Sequence, residues 1–123
     1  MRVVIVDPDL KAGRRLAAAV EEMASSADVL LYAAGDEAVA GIVKNSPDVT
    51  FVAPAVGALD GPAFLEQVRT VTNEPRYVGM VDVPDAQMSV RWIDAGATFV
   101  VARPVDRLGL RSALGHIADG IDA

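Results

Sequence analysis

Five short apolar runs, all rich in valine, alternate along the chain with longer stretches of mixed polarity. The runs are Val3–Val6, Val29–Tyr32, Val49–Val52, Tyr77–Val81 and Phe99–Val101. Each run is continuous instead of alternating with polar residues, which is typical of strands buried on both faces of a parallel sheet. The pattern therefore predicts five parallel β-strands.

Helical patterns fill the stretches between these runs. The first helix has Leu16, Val20 and Met23 on one face, and Gly96 supplies a stop signal for the fourth. The last has apolar positions at spacings of four, three and four residues: Leu110, Leu114, Ile117 and Ile121. The predicted helices are Leu10–Met23, Asp36–Asn45, Pro62–Val71, Pro84–Ala95 and a last one beginning near Asp106.

Alternating strands and helices predict a doubly wound α/β fold, because parallel strands need right-handed crossover connections. In such sheets the functional crevice lies at the carboxyl ends of the strands. The sequence contains no internal repeat, low-complexity tract or linker, so we expect a single domain over residues 1–123.

The composition argues against several classes of function. The formal net charge is −6, which argues against a nucleic-acid surface because such surfaces depend on lysine and arginine. There is no cysteine, hence no disulfide and no thiolate metal site, and no apolar run long enough to span a membrane. We expect a cytoplasmic protein that contacts neither a membrane nor nucleic acid.

Four short motifs keep a recognisable spacing over half of the chain. They are Pro47-Asp48 at the start of the third strand, Asp60-Gly61, Ala95-Gly96-Ala97 and Arg103-Pro104. In this register the chain resembles, over essentially its whole length, the receiver domain of two-component response regulators. The resemblance implies a flavodoxin-like (βα)5 fold with strand order 2-1-3-4-5 and a role in phosphorelay signal transduction.

The resemblance also implies where a phosphorylation pocket would lie, and several of its positions are altered. The phosphoacceptor aspartate corresponds to Ala53, whose methyl group has no nucleophilic oxygen. The acidic pair that holds a divalent metal corresponds to Asp7 and Pro8, so one carboxylate is missing. Asp7-Pro8-Asp9 then reads as a turn and helix start with acids near the helix N-terminus.

The remaining pocket positions are altered as well. The hydroxyl residue that ends the fourth strand corresponds to Val81, and the switch aromatic corresponds to Val100. The lysine before proline corresponds to Arg103, which keeps the charge but has a different shape. We predict a cis Arg103-Pro104 bond, with Arg103 paired to Asp7 or Asp82; the alternative is a solvated surface arginine.

These changes favour a pseudo-receiver that requires no metal or other cofactor and acts without an aspartyl phosphate. The first hypothesis is a module that binds a partner protein or a second copy through the fourth helix, fifth strand and fifth helix. Its candidate surface comprises Met88, Trp92 and Val100, although Trp92 could equally pack against the fifth strand beside Ile93. The alternative is a small-molecule sensor that uses the altered pocket. No nucleophile, base or cofactor motif suggests an enzyme.

Overall fold

The computed structural model describes residues 1–72 and 75–117. In this part of the chain the strands are β1 Arg2–Val6, β2 Asp28–Tyr32, β3 Val49–Val52, β4 Ala55–Val56, β5 Leu59–Asp60, β6 Arg76–Val81 and β7 Phe99–Ala102. The helices are α1 Leu10–Met23, α2 Gly35–Asn45, α3 Gly61–Arg69, α4 Ala86–Ala95 and α5 Arg107–Ile117. No helix in the described ranges is long and apolar enough to cross a bilayer.

Five strands form one parallel sheet in the order β2-β1-β3-β6-β7. This confirms the predicted order 2-1-3-4-5, because β4 and β5 form a separate antiparallel pair that the sequence pattern did not predict. The pair is a tight hairpin directly after β3, and its turn contains Gly57 in the left-handed region at φ 64°. The hairpin therefore lies where the loop at the carboxyl end of the sheet was expected.

Two apolar cores cover the two faces of the sheet. Alternate β1 residues enter opposite cores, with Val3 and Ile5 in one and Val4 and Val6 in the other. The first core takes side chains from α1 and α5, and the second takes side chains from α2, α3 and α4. Of the predicted α5 stripe, Leu110 and Leu114 are buried. The side chain of Ile117 and all of Ile121 lie outside the described residues.

Aspartate side chains cap four of the described helices at the crevice end of the sheet, and one of them is α5, where Asp106 accepts a hydrogen bond from the amide of Gly109 at 2.6 Å. Asp9 accepts hydrogen bonds from the amides of Lys11 and Ala12, at 3.1 and 3.2 Å. Asp60 caps α3 through the amide of Ala63, and Asp85 caps α4 through Gln87, both at 2.9 Å. Because Asp85 is the cap, α4 begins at Ala86 and not at Pro84 as predicted.

Trp92 is fully buried, so of its two interpretations the one as a packed residue is correct and the one as an exposed partner anchor is wrong. Its indole ring lies over two glycines, Gly79 in β6 and Gly61 at the start of α3. A Cβ atom at either glycine would overlap the ring. The indole Nε1 has no hydrogen-bond partner in the described part of the chain, so packing holds the ring in place. Trp92 is therefore a core residue that joins α4 to the sheet.

We expect Gly79→Ala to lower the free energy of unfolding by about 1–3 kcal/mol, because the new methyl group meets an enclosed indole ring. Urea denaturation followed by the fluorescence of Trp92 measures this change. Gly115→Ala is the matched control, since a Cβ there meets nothing within 4 Å. It should leave the stability unchanged or raise it by up to about 1 kcal/mol. Equal effects of the two substitutions would contradict the packing described for Trp92.

Candidate functional site

The candidate site lies at the carboxyl ends of the central strands. The backbone ladder continues one residue past three of them. The amide of Asp7 donates to the carbonyl of Tyr32 (3.0 Å), that of Ala53 to Val6 (2.9 Å), and that of Arg103 to Val81 (2.7 Å). These bonds fix the start of each crevice loop against the neighbouring strand. The side chains that follow β1, β3 and β7 are therefore held on rigid supports.

Arg103 binds the buried carboxylate of Asp7. Its Nη1 donates to both oxygens of Asp7, at 3.0 and 2.9 Å, and the Asp7 residue is only 1% exposed. The amide of Asp9 donates a further hydrogen bond to Asp7 Oδ1 at 3.0 Å. Such partners offset the cost of removing a carboxylate from water. Asp7 thus has a cation and an amide as partners.

The same guanidinium also binds Asp82, which follows β6. Arg103 Nε donates to Asp82 Oδ1 at 2.8 Å, and Nη2 donates to Oδ2 at 3.3 Å. Burial lowers the pKa of Arg103, but hydrogen bonds to Asp82 and Asp7 outweigh it and raise this pKa above its ordinary value. The Arg103-Pro104 bond is cis, as predicted. Arg103 pairs with both of its expected partners, and the solvated alternative is wrong.

Ala53 and Val81 lie beneath the crevice and do not border it. Ala53 is 1% exposed and Val81 is 5% exposed. An open crevice of about 340 Å³ lies above them. Its lining residues are Asp7, Pro8, Asp9, Pro54, Ala55, Gly57, Asp82 and Arg103. Of the five residues predicted for the altered pocket, Asp7, Pro8 and Arg103 line the crevice, whereas Ala53 and Val81 do not.

The side chains at this edge do not fit a divalent metal. Among residues 1–72 and 75–117 there is no group of three or more His, Cys, Asp or Glu residues that could hold one. Both oxygens of Asp7 already accept hydrogen bonds from Arg103, and Pro8 offers no side-chain ligand. Asp9, the nearest other carboxylate in sequence, caps α1. The guanidinium of Arg103 provides the positive charge beside Asp7.

A second ion pair, which the sequence did not suggest, joins α4 to the start of α3. Arg91 Nη2 lies 2.7 Å from Asp60 Oδ2. The hydrogen bond from the Ala63 amide lowers the pKa of Asp60 below its ordinary value of 3.8. Partial burial opposes this shift, and Arg91 adds to it. Asp60 therefore caps α3 and fixes α4 with one carboxylate.

The predicted interaction surface is only partly accessible. Met88 and Val100 are half-buried and pack against the same core as Trp92. The exposed apolar residues of this region are instead Val83, just before α4, and Val90 and Ile93 on α4, with Leu108 on α5. Val90 and Ile93 are three residues apart and so share a face of the helix. Their spacing could have revealed this face in the sequence, since Met88, Trp92 and Ala95 mark the opposite one.

We expect Arg103→Met to lower the free energy of unfolding by about 3 kcal/mol, because it leaves the buried charge of Asp7 without its cation. Arg107→Met is the control, since the Arg107–Glu22 pair is exposed and should contribute less than about 1 kcal/mol. Adding Asp7→Asn to Arg103→Met should recover part of the loss. Chemical denaturation of the wild type and of these three variants measures the changes in stability. The pairing would be refuted if Arg103→Met were as mild as Arg107→Met.

We expect the stabilising effect of Asp60 to depend on acidity. Its pKa is lowered in the folded state, so its contribution is complete above the unfolded value of 3.8 and is lost as the pH falls through the folded value. The stability difference between the wild type and Asp60→Asn should therefore shrink between pH 7 and pH 3. Arg91→Gln should remove only part of this dependence, because the Ala63 amide remains. Thermal unfolding across this range measures it, and a constant difference would contradict the assignment.

Comparison with known proteins places this geometry in a fold family. No family model matches the sequence, and no curated protein matches it. Solved structures do match. A two-component response regulator from Clostridium difficile has a TM-score of 0.86 at 20% identity, covering 100% of this chain and 99% of that one. The signal receiver domain of a DNA-binding response regulator from Colwellia psychrerythraea 34H has a TM-score of 0.86 at 15% identity, covering 97% and 98%.

A third match is the chemotaxis protein CheY4 of Vibrio cholerae, with a TM-score of 0.83 at 19% identity, covering 94% of this chain and 97% of that one. All three similarities extend over nearly the full length of both chains. The sheet order and the crevice at the strand ends agree with this assignment. The chain has the fold of response regulator receiver domains.

Proposed function

We propose that this domain is a pseudo-receiver, a receiver-like signalling module that works without phosphorylation and binds a partner protein or a second copy of itself. The observation that carries this proposal is the position of Arg103, which joins Asp7 and Asp82 above a buried alanine. Phosphoryl transfer to a side chain needs a nucleophile, and Ala53 provides none. The charge that a metal would balance is balanced by Arg103.

The surface of α4, β7 and α5 supports a binding role. Val90 and Ile93 are more than half exposed on α4, at 58% and 51%. β7 is the last strand of the sheet, and a groove of about 410 Å³ runs between it and α5. Val100 and Leu108 line this groove. Exposed apolar side chains beside an edge strand are typical of surfaces that bind other chains.

Other functions have less support. The strand-end crevice is open, and its arginine is already paired with two carboxylates, so little remains there to hold a small molecule. No nucleophile with an adjacent base occurs at the crevice in the described ranges, so we propose no enzymatic activity. An acidic chain is a poor ligand for nucleic acid. A cytoplasmic location and the absence of a cofactor remain predictions.

Ile93→Asp tests the proposed surface, because it places a charge on the exposed face of α4 without entering the core. Val43→Asp is the matched control, since Val43 is similarly exposed on α2 at 49%. We expect wild type and Val43→Asp to show the same concentration-dependent self-association, or to retain the same protein from a lysate of the source cells. Ile93→Asp should lose that association or that protein.

Each capture is carried out without any phosphodonor, once with a chelator of divalent metals and once without it. The proposal predicts the same retention in both conditions, because neither metal nor phosphate takes part. Association that depends on a divalent metal would contradict phosphorylation-independent action. Equal association of Ile93→Asp and wild type would refute the surface. Sedimentation velocity measures self-association, and far-UV circular dichroism confirms that each variant is folded.

A further inference from the structure

A second cavity lies beside the strand-end crevice, between α1 and the connection from β7 to α5. Its volume is about 100 Å³, and it is more enclosed than the crevice. Leu16 and Met80 form part of its apolar lining, together with Pro104 and Val105. Arg15 also lines it, and it shares Asp7 and Arg103 with the crevice.

The lining favours an apolar ligand body. Met80 and Leu16 are buried core residues, at 1% and 6% exposed, and they offer a cavity water no strong hydrogen-bond partner. A water in such a position gains little, because ordered waters need polar partners. Displacing water from this lining with a hydrocarbon group is therefore favourable.

The charges around the cavity favour an anion. Arg15 is exposed, and no carboxylate in residues 1–72 and 75–117 forms an ion pair with it. Lys11 and Arg14, on the same helix, have no ion-pair partner in those ranges either. The negative charge of Asp7 is compensated by Arg103. The first half of α1 is thus a local cationic region in an acidic chain.

Helical spacing places this cation above the apolar lining. Arg15 and Leu16 follow Ala12 by three and four residues along α1, so both lie on the face of the helix that contains Ala12. All three residues line the cavity. A ligand held by this face would have its anionic group at the exposed guanidinium and its hydrocarbon part against Leu16. An arginine matches a carboxylate through two parallel hydrogen bonds.

We propose that this cavity binds a small monocarboxylate with a short apolar body, whose carboxylate pairs with Arg15. The apolar body contacts Leu16 and Met80. This site does not depend on the partner surface of α4, so either proposal can fail without the other. Because Asp7 and Arg103 border both the cavity and the crevice, an occupant would also contact this ion pair.

Isovalerate is the probe, and its neutral analogue isovaleramide tests the need for charge. Binding is followed by amide chemical shifts in ¹H–¹⁵N NMR spectra of the full chain. We expect saturable shifts for isovalerate at the residues that line the cavity, and none for isovaleramide. Arg15→Gln should weaken binding about tenfold or more, because it removes a charge-assisted hydrogen bond. Arg14→Gln is the matched control and should bind as the wild type does.

Three results would overturn the proposal. The first is the absence of saturable shifts at the cavity up to the solubility limit of isovalerate. The second is equal weakening by Arg14→Gln and Arg15→Gln, which would indicate a diffuse effect of positive charge. The third is equal binding of isovaleramide and isovalerate, which would show that Arg15 does not select an anion.

Discussion

The buried charge of Asp7 is the constraint on which the crevice depends. Burial of a carboxylate that is 1% exposed is costly unless a close cation and hydrogen-bond donors compensate it. Arg103, which follows the edge strand β7, supplies the cation. It reaches Asp7, which follows β1, across the ends of β6 and β3. On the way it also binds Asp82. One side chain therefore links the ends of three strands across the sheet, and Ala53 lies buried between them.

Arginine side chains also hold α4, the helix beside the proposed binding surface. Arg91 joins its exposed side to Asp60, and Arg69 Nη1 donates to the carbonyl of Ala95 at its last residue, at 2.9 Å. Trp92 fills the space above Gly79, where nothing larger than glycine fits. A helix held at three points keeps Val90 and Ile93 in one arrangement. This arrangement supports the proposed role of Val90 and Ile93 in binding.

The sequence predicted the sheet and the crevice well, because both depend on local patterns. Valine-rich runs indicate buried parallel strands. The strand order and the pairing of Arg103 with Asp7 or Asp82 came from the resemblance to receiver domains, in which the peptide that corresponds to Arg103-Pro104 bends over the crevice. Trp92 was harder to interpret, because its burial depends on the absence of a side chain at Gly79, in another element. The glycine inside the run Tyr77–Val81 was the available signal, since a glycine in a strand often marks close approach by another group. The Asp60–Arg91 pair and the cavity beside α1 arise from tertiary packing, and no local pattern reports them.

We propose that Arg103 takes the place of a metal ion beside Asp7 and that this domain works without phosphorylation. The most direct measurement is a ¹H–¹⁵N NMR spectrum of the chain with Mg²⁺ and acetyl phosphate, compared with the spectrum without them, together with its intact mass. We expect no saturable shift near Asp7 or Arg103 and no mass increase, because Asp7 is already paired with Arg103 and Ala53 has no nucleophilic oxygen. The variant Pro8→Asp/Ala53→Asp/Arg103→Lys, which restores the second acidic residue, the phosphoacceptor and the lysine, serves as the positive control. Metal-dependent shifts at Asp7 in the wild type would show that Arg103 does not replace the metal ion, and a phosphoryl adduct would show that the domain is phosphorylated.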